Sequence, residues 1–135
     1  MSRILFVGEG ARQLDPFGLD VSTAVSVRDA VAALARNGGE LDAIICDLHL
    51  ADGGGIKLYR FLEAEYPGMQ HRMVFLRGPA LSPREREFLR MITQPVLEKP
   101  YWIAGLIAIV RAWSMRRRRE RLAHPSATIT ANSTR

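Results

Sequence analysis

The sequence predicts an α/β domain built on a parallel β-sheet, and three observations point there. Ile4–Val7, Ala43–Cys46 and Met73–Leu76 are short, continuous apolar runs, the pattern of strands buried on both faces. Segments with helical spacing separate them, which is the alternation that parallel sheets need for their crossovers. Each run then stops at a polar residue, Glu9, Asp47 or Arg77, on the carboxyl edge where open α/β sheets place their chemistry.

Taken in order, Ile4–Val7 forms a first strand closed by Gly8-Glu9-Gly10. Ala11 to Leu19 contains Pro16 and Gly18 and holds no helix of useful length, so the first crossover is cut down to a loop or a single turn. Asp20–Ala24 alternates as a short edge strand. Ser26 caps a helix with Asp29 three residues on, Val27, Ala30, Val31, Leu34 and Ala35 form its apolar stripe, and Asn37-Gly38-Gly39 closes it. After the Asp47 strand and its glycines, Ile56, Tyr59, Leu62 and Tyr66 mark a helix ended by Pro67-Gly68. Ser82-Pro83-Arg84-Glu85 joins an N-cap, a first-turn proline and a capping-box glutamate; Phe88, Leu89 and Ile92 continue that helix towards Pro95. Val96-Leu97 is a last short strand running into Glu98-Lys99-Pro100. The final helix carries Ile103, Leu106, Ile107, Val110 and Trp113. This makes a doubly wound, five-stranded sheet with four helices and the first helix shortened or missing.

The chain of 135 residues, 47% hydrophobic and 24% charged, has the size and composition of one globular domain. Its net charge of +5 is uneven: seven arginines and one glutamate lie between Arg111 and Arg135, and the remainder is slightly acidic. Residues 1–115 are therefore expected to form the domain, and 116–135 a basic, disordered tail after a frayed helix end. The lone cysteine, Cys46, lies inside a strand and offers no disulfide partner. No secretory signal precedes the first strand and no stretch is long enough to span a bilayer, so a cytoplasmic location is expected.

The strand ends bring Glu9, Asp47, Arg77 and Lys99 to one edge. A carboxylate pair suits a hard cation such as Mg²⁺, an aspartate can be a phosphoryl acceptor, and a lysine beside it can counter the transferred charge. With these residues in place, residues 3 to 115 resemble the receiver domain of bacterial two-component response regulators. The resemblance lies in ILFVGEG, in ICDLHLADGGG and in Glu98-Lys99-Pro100-Tyr101 at matching spacing. It implies a flavodoxin-like fold, Asp47 as phosphoacceptor, Lys99 as phosphate-sensing lysine, Gly55 as the glycine heading the next helix, and a cis Lys99–Pro100 bond. It also implies Mg²⁺ held by Glu9, Asp47 and the backbone carbonyl of His49, and a histidine kinase or phosphotransfer protein as partner.

The departures from the pattern are specific. The acidic pair after the first strand becomes Gly8-Glu9, which weakens the metal site. Arg77 replaces the switch hydroxyl, Val96 the switch aromatic, and Ala51 a loop proline. Arg77 can either pair with Asp47 in the absence of phosphate or clamp the phosphoryl group; the first is the favoured expectation, because Gly8 already weakens the metal site.

The leading expectation is a stand-alone, non-enzymatic receiver that signals through protein contacts. The alternative is a pseudo-receiver that keeps the fold without cycling phosphate. The broad apolar surface of the last helix suggests a homodimer or partner contact, against the simpler reading that Ala11–Leu19 folds over it with Leu14 and Phe17. The arginine cluster lacks interleaved aromatics and no helix-turn-helix follows it, which counts against nucleic-acid reading. His49, His71 and His124 have no ligand-like spacing.

Overall fold

In the computed structural model, residues 2–37, 40–100 and 102–123 are described. Five strands, β1 (Arg3–Val7), β2 (Asp20–Ala24), β3 (Ala43–Asp47), β4 (Met73–Arg77) and β5 (Val96–Glu98), form one sheet in the order β2-β1-β3-β4-β5. All four pairings are parallel. The chain reverses its winding between β1 and β3, so the crevice at their carboxyl ends is the topological switch point of the sheet.

The period-two geometry of the strands divides the core into two layers. Leu5, Val7, Ile44, Cys46, Met73 and Phe75 face α1 (Val27–Asn37), α2 (Gly54–Glu65) and α3 (Pro83–Met91). Ile4, Phe6, Ala43, Ile45, Val74 and Leu76 face the other way, against α4 (Ile103–Ala123) and a 3₁₀ segment over Ala11–Phe17. Every residue from Ile4 to Val7 and from Ala43 to Cys46 is fully buried, as the uninterrupted apolar runs require.

The missing first helix is this seven-residue 3₁₀ segment, flanked by Gly10 and Gly18 in left-handed conformations, with Pro16 inside it. Its Leu14 is 1% exposed and packs in the layer of Trp102, Leu106 and Val110, while Phe17 stays at the surface at 36%. The segment therefore covers the apolar face of α4 that a full helix would otherwise cover. Ile103, Ile109 and Trp113 pack half-buried against the same layer.

Two expectations need correction. The last helix neither stops nor frays at Arg116; it runs to Ala123. Arginine is a good helix former, and Arg117 is anchored by a 2.6 Å ion pair to Asp42, a residue 7% exposed at the start of β3. The remainder of the predicted tail, 124–135, lies outside the described residues, as do Gly38, Gly39 and Tyr101. The helix after Ser82 ends at Met91, with Ile92 already extended. No helix among the described residues is long and apolar enough to cross a membrane.

Candidate functional site

Asp47 is the last residue of β3, opposite Leu76 of β4, and is 7% exposed. Its burial follows from its place: the strand before it is enclosed, and Leu48 continues the pairing by donating its N–H to the Leu76 carbonyl at 2.8 Å. A buried carboxylate needs a charge partner. Lys99 supplies it, with Nζ 2.8 Å from Oδ1. Among the described residues no partner stands in hydrogen-bond geometry to that oxygen, so the contact is an ion pair off the hydrogen-bonding direction. Lys99 is set by the end of β5, where its N–H donates to the Arg77 carbonyl at 2.9 Å, and its peptide bond to Pro100 is cis, as the resemblance implied.

Gly8 forms the other wall. Its φ of 135° lies in the region that favours glycine, and a Cβ built there would come within 2.7 Å of the Asp47 Cγ. The Asp47 carboxylate thus occupies the space that a side chain at position 8 would take. Gly55 is required for a different reason: a Cβ there would lie 2.7 Å from the Phe75 ring, so only glycine lets α2 pack this closely on β4. A cavity of about 310 Å³, lined by Asp47, His49, Leu76, Gly78, Pro79, Ala80 and Lys99, opens onto the carboxylate.

The predicted residues divide. Asp47 and Lys99 meet. Glu9 is exposed in the turn after β1 and does not line the cavity. His49 lies on the loop after β3, with its imidazole 3.4 Å from Glu85 at the head of α3. Arg77 does not pair with Asp47, contrary to the favoured expectation. Its Nε donates to the adjacent Gly78 carbonyl at 3.2 Å, and its side chain lines a separate cleft with Pro79, Leu81, Arg86, Leu89 and Arg90. Lys99, 2.8 Å from Oδ1, is the cation paired with that carboxylate. Among the described residues, no three His, Cys, Asp or Glu side chains gather as a metal cluster. A Mg²⁺ ion needs fewer, since it keeps waters and takes phosphate oxygens as ligands. Asp47 and the backbone carbonyl of His49 are oxygen donors of the kind it takes, and Asp47 Oδ1, buried against Lys99, accepts no hydrogen bond from any described residue.

Two residues escaped the sequence reading. Asp52, in the loop after β3, accepts from the backbone N–H groups of Val27 and Arg28, both at 3.0 Å. With Ser26 Oγ accepting from Asp29, it satisfies most of the free donors at the start of α1. These backbone donors hold the Asp52 carboxyl below the usual carboxylate range. No local signal could reveal a cap 25 residues distant from the helix it closes. The Ser82–Glu85 capping box, by contrast, is present in full, and the Ser82 N–H holds the Glu85 carboxyl below its usual range, with His49 assisting. Cys46 is sealed in the sheet, and burial next to Asp47 pushes its thiol well up, so it is a core residue rather than a nucleophile.

No protein-family model matches the sequence, and no curated protein matches it either. Solved structures do. The chain aligns with the signal receiver domain of a putative Luxo repressor protein from Vibrio parahaemolyticus at 18% identity and a TM-score of 0.70, over 91% of this chain and 97% of that one. A response regulator receiver domain protein from Clostridium thermocellum aligns at 20% identity and TM-score 0.69, over 87% and 98%. A CheY-like response regulator receiver domain protein from Methanospirillum hungatei gives 20% and 0.69, over 89% and 98%. Sheet order, flanking layers and nearly full coverage agree: this chain has the fold of a response-regulator receiver domain.

Proposed function

We propose that the chain is a receiver whose Asp47 accepts a phosphoryl group from a phosphohistidine of a sensor kinase or phosphotransfer protein. The observation that supports this is the buried Asp47 carboxylate paired with the half-exposed Lys99 at the switch-point edge, with a cavity of about 310 Å³ over the carboxylate. In the reaction, an Asp47 carboxylate oxygen attacks phosphorus, the P–N bond to the histidine ring breaks, and an acyl phosphate forms. Lys99, released from the free carboxylate, pairs with the phosphoryl oxygens and offsets their added charge. Mg²⁺, held by Asp47, Glu9 and the His49 carbonyl, would supply further charge neutralisation when bound. Leu76, Gly78 and Pro79 wall the site. The chain acts by protein contacts in the cytoplasm and is not itself an enzyme of metabolism.

A specific observation favours a second reading. The switch position carries Arg77, and its side chain is engaged with Gly78 outside the cavity. Without a hydroxyl to follow the phosphoryl group, the domain would act as a pseudo-receiver that binds partners in one fixed state. Incubation with acetyl phosphate and Mg²⁺, read by intact mass against Asp47→Asn, separates the two. A phosphoryl adduct absent from the variant supports the receiver; no adduct, where an ordinary receiver is labelled, supports the pseudo-receiver.

A further inference from the structure

Helix α4 is longer than the layer it belongs to. Its 21 residues span about 31 Å, whereas a five-residue strand spans about 17 Å. The helix starts near the carboxyl edge of the sheet and runs back to the opposite edge. There Ser114 meets Ser2 at 2.6 Å and Arg117 meets Asp42, which also accepts from the Arg3 N–H. Every residue from Arg118 to Ala123 is exposed.

Beside its buried row, the exposed surface of α4 carries a second regular row. Ala104, Ala108, Arg111, Met115, Arg118 and Leu122 follow one another at alternating steps of four and three, and all six are exposed. Met115 and Leu122 are exposed by 57% and 73%, so no described part of the chain covers them. Steps of four and three are the seam of a helix pair. The row holds no acidic residue, and Arg119 flanks it.

We propose that this face of α4 docks an acidic amphipathic helix of another protein, with aliphatic residues against Ala108, Met115 and Leu122 and carboxylates against Arg111 and Arg118. Charge selects the occupant. A second copy would set Arg111, Arg118 and the flanking Arg119 against the same cations, with no carboxylate in the row to answer them. A bilayer favours a wider face of large apolar residues than Met115 and Leu122 provide. Carboxylates on a helix can pair bidentately with the guanidinium groups while the aliphatic row closes between them. The proposal does not depend on the chemistry of Asp47.

The test uses the full chain and a labelled synthetic helix with leucine at the seam and glutamate opposite the arginine positions, read by fluorescence anisotropy. A matching lysine peptide, vesicles of phosphatidylcholine with phosphatidylglycerol, and sedimentation of the chain alone complete the set. The expected result is binding of the glutamate peptide, weakened about tenfold or more in the Arg111→Glu/Arg118→Glu variant. That variant should gain binding to the lysine peptide, with unchanged circular dichroism. Equal binding of both peptides, no effect of the reversal, binding to vesicles alone, or self-association without peptide binding would overturn the proposal.

Discussion

Substituting Leu14 by alanine tests whether a seven-residue 3₁₀ segment replaces a whole helix in the core. Leu14 is 1% exposed and lies in the layer built by Phe6, Trp102, Leu106 and Val110. Removing its three terminal carbons forfeits about 2.4 kcal/mol of transfer free energy, at about 0.8 kcal/mol each. The cavity left under α4 raises the loss to about 3–4 kcal/mol, because Trp102 and the sheet below it cannot collapse far into the gap. For a domain of this size that lowers Tm by roughly 10 °C. Urea unfolding followed by the fluorescence of Trp102 and Trp113 measures it directly. Phe17→Ala, at a residue already 36% exposed, serves as the control and should cost less than about 1 kcal/mol. If Leu14→Ala costs no more than Phe17→Ala, the segment is a loose loop and the account of the missing helix is wrong.

Lys99→Ala leaves the Asp47 carboxylate buried without its ion-pair partner; since Lys99 is itself 37% exposed, the loss should be about 1–2 kcal/mol in a urea titration rather than the cost of a fully buried pair. Arg77→Thr should leave Mg²⁺ affinity, followed by tryptophan fluorescence, unchanged, because Arg77 is not on Asp47; a clear rise would contradict its placement. Gly8→Asp, which looks like a restoration of the family's acidic pair, must fit a side chain where the Asp47 carboxylate lies and at a φ of 135°. It should lose more than about 1 kcal/mol and gain no metal affinity. Asp52 and Glu85 both have lowered carboxyl values in the folded state, so each contributes stability above the ordinary carboxylate range that is lost as pH falls through the folded value. Urea midpoints measured across the acid range should fall less steeply in Asp52→Asn/Glu85→Gln, and an unchanged slope would refute their part in acid sensitivity.

The sheet was legible because its strands are buried on both faces. Ile4–Val7 and Ala43–Cys46 have no polar face to confuse the period, and the flavodoxin-like arrangement of the strands came with the family resemblance rather than from the pattern itself. Asp47 and Lys99 were legible because strand ends fix their heights at one edge. What the sequence hid were contacts between residues far apart in the chain. Asp52 caps α1 from another loop, and Asp42 holds α4 in helical form beyond Arg116. Composition alone made that arginine run look like a tail. Arg77 shows the same limit from the other side: strand position put it at the right edge, but its guanidinium turns to the Gly78 carbonyl while Lys99 takes the carboxylate.

The measurement that bears most directly on the central claim locates the phosphoryl group. The chain is treated with acetyl phosphate and Mg²⁺, any acyl phosphate is reduced with borohydride, and the peptide from Leu41 to Lys57 is sequenced by mass spectrometry. Reduction of an aspartyl phosphate converts that residue to homoserine, so homoserine is expected at position 47 alone. An unmodified Asp47, or conversion at Asp42 or Asp52 instead, would contradict it.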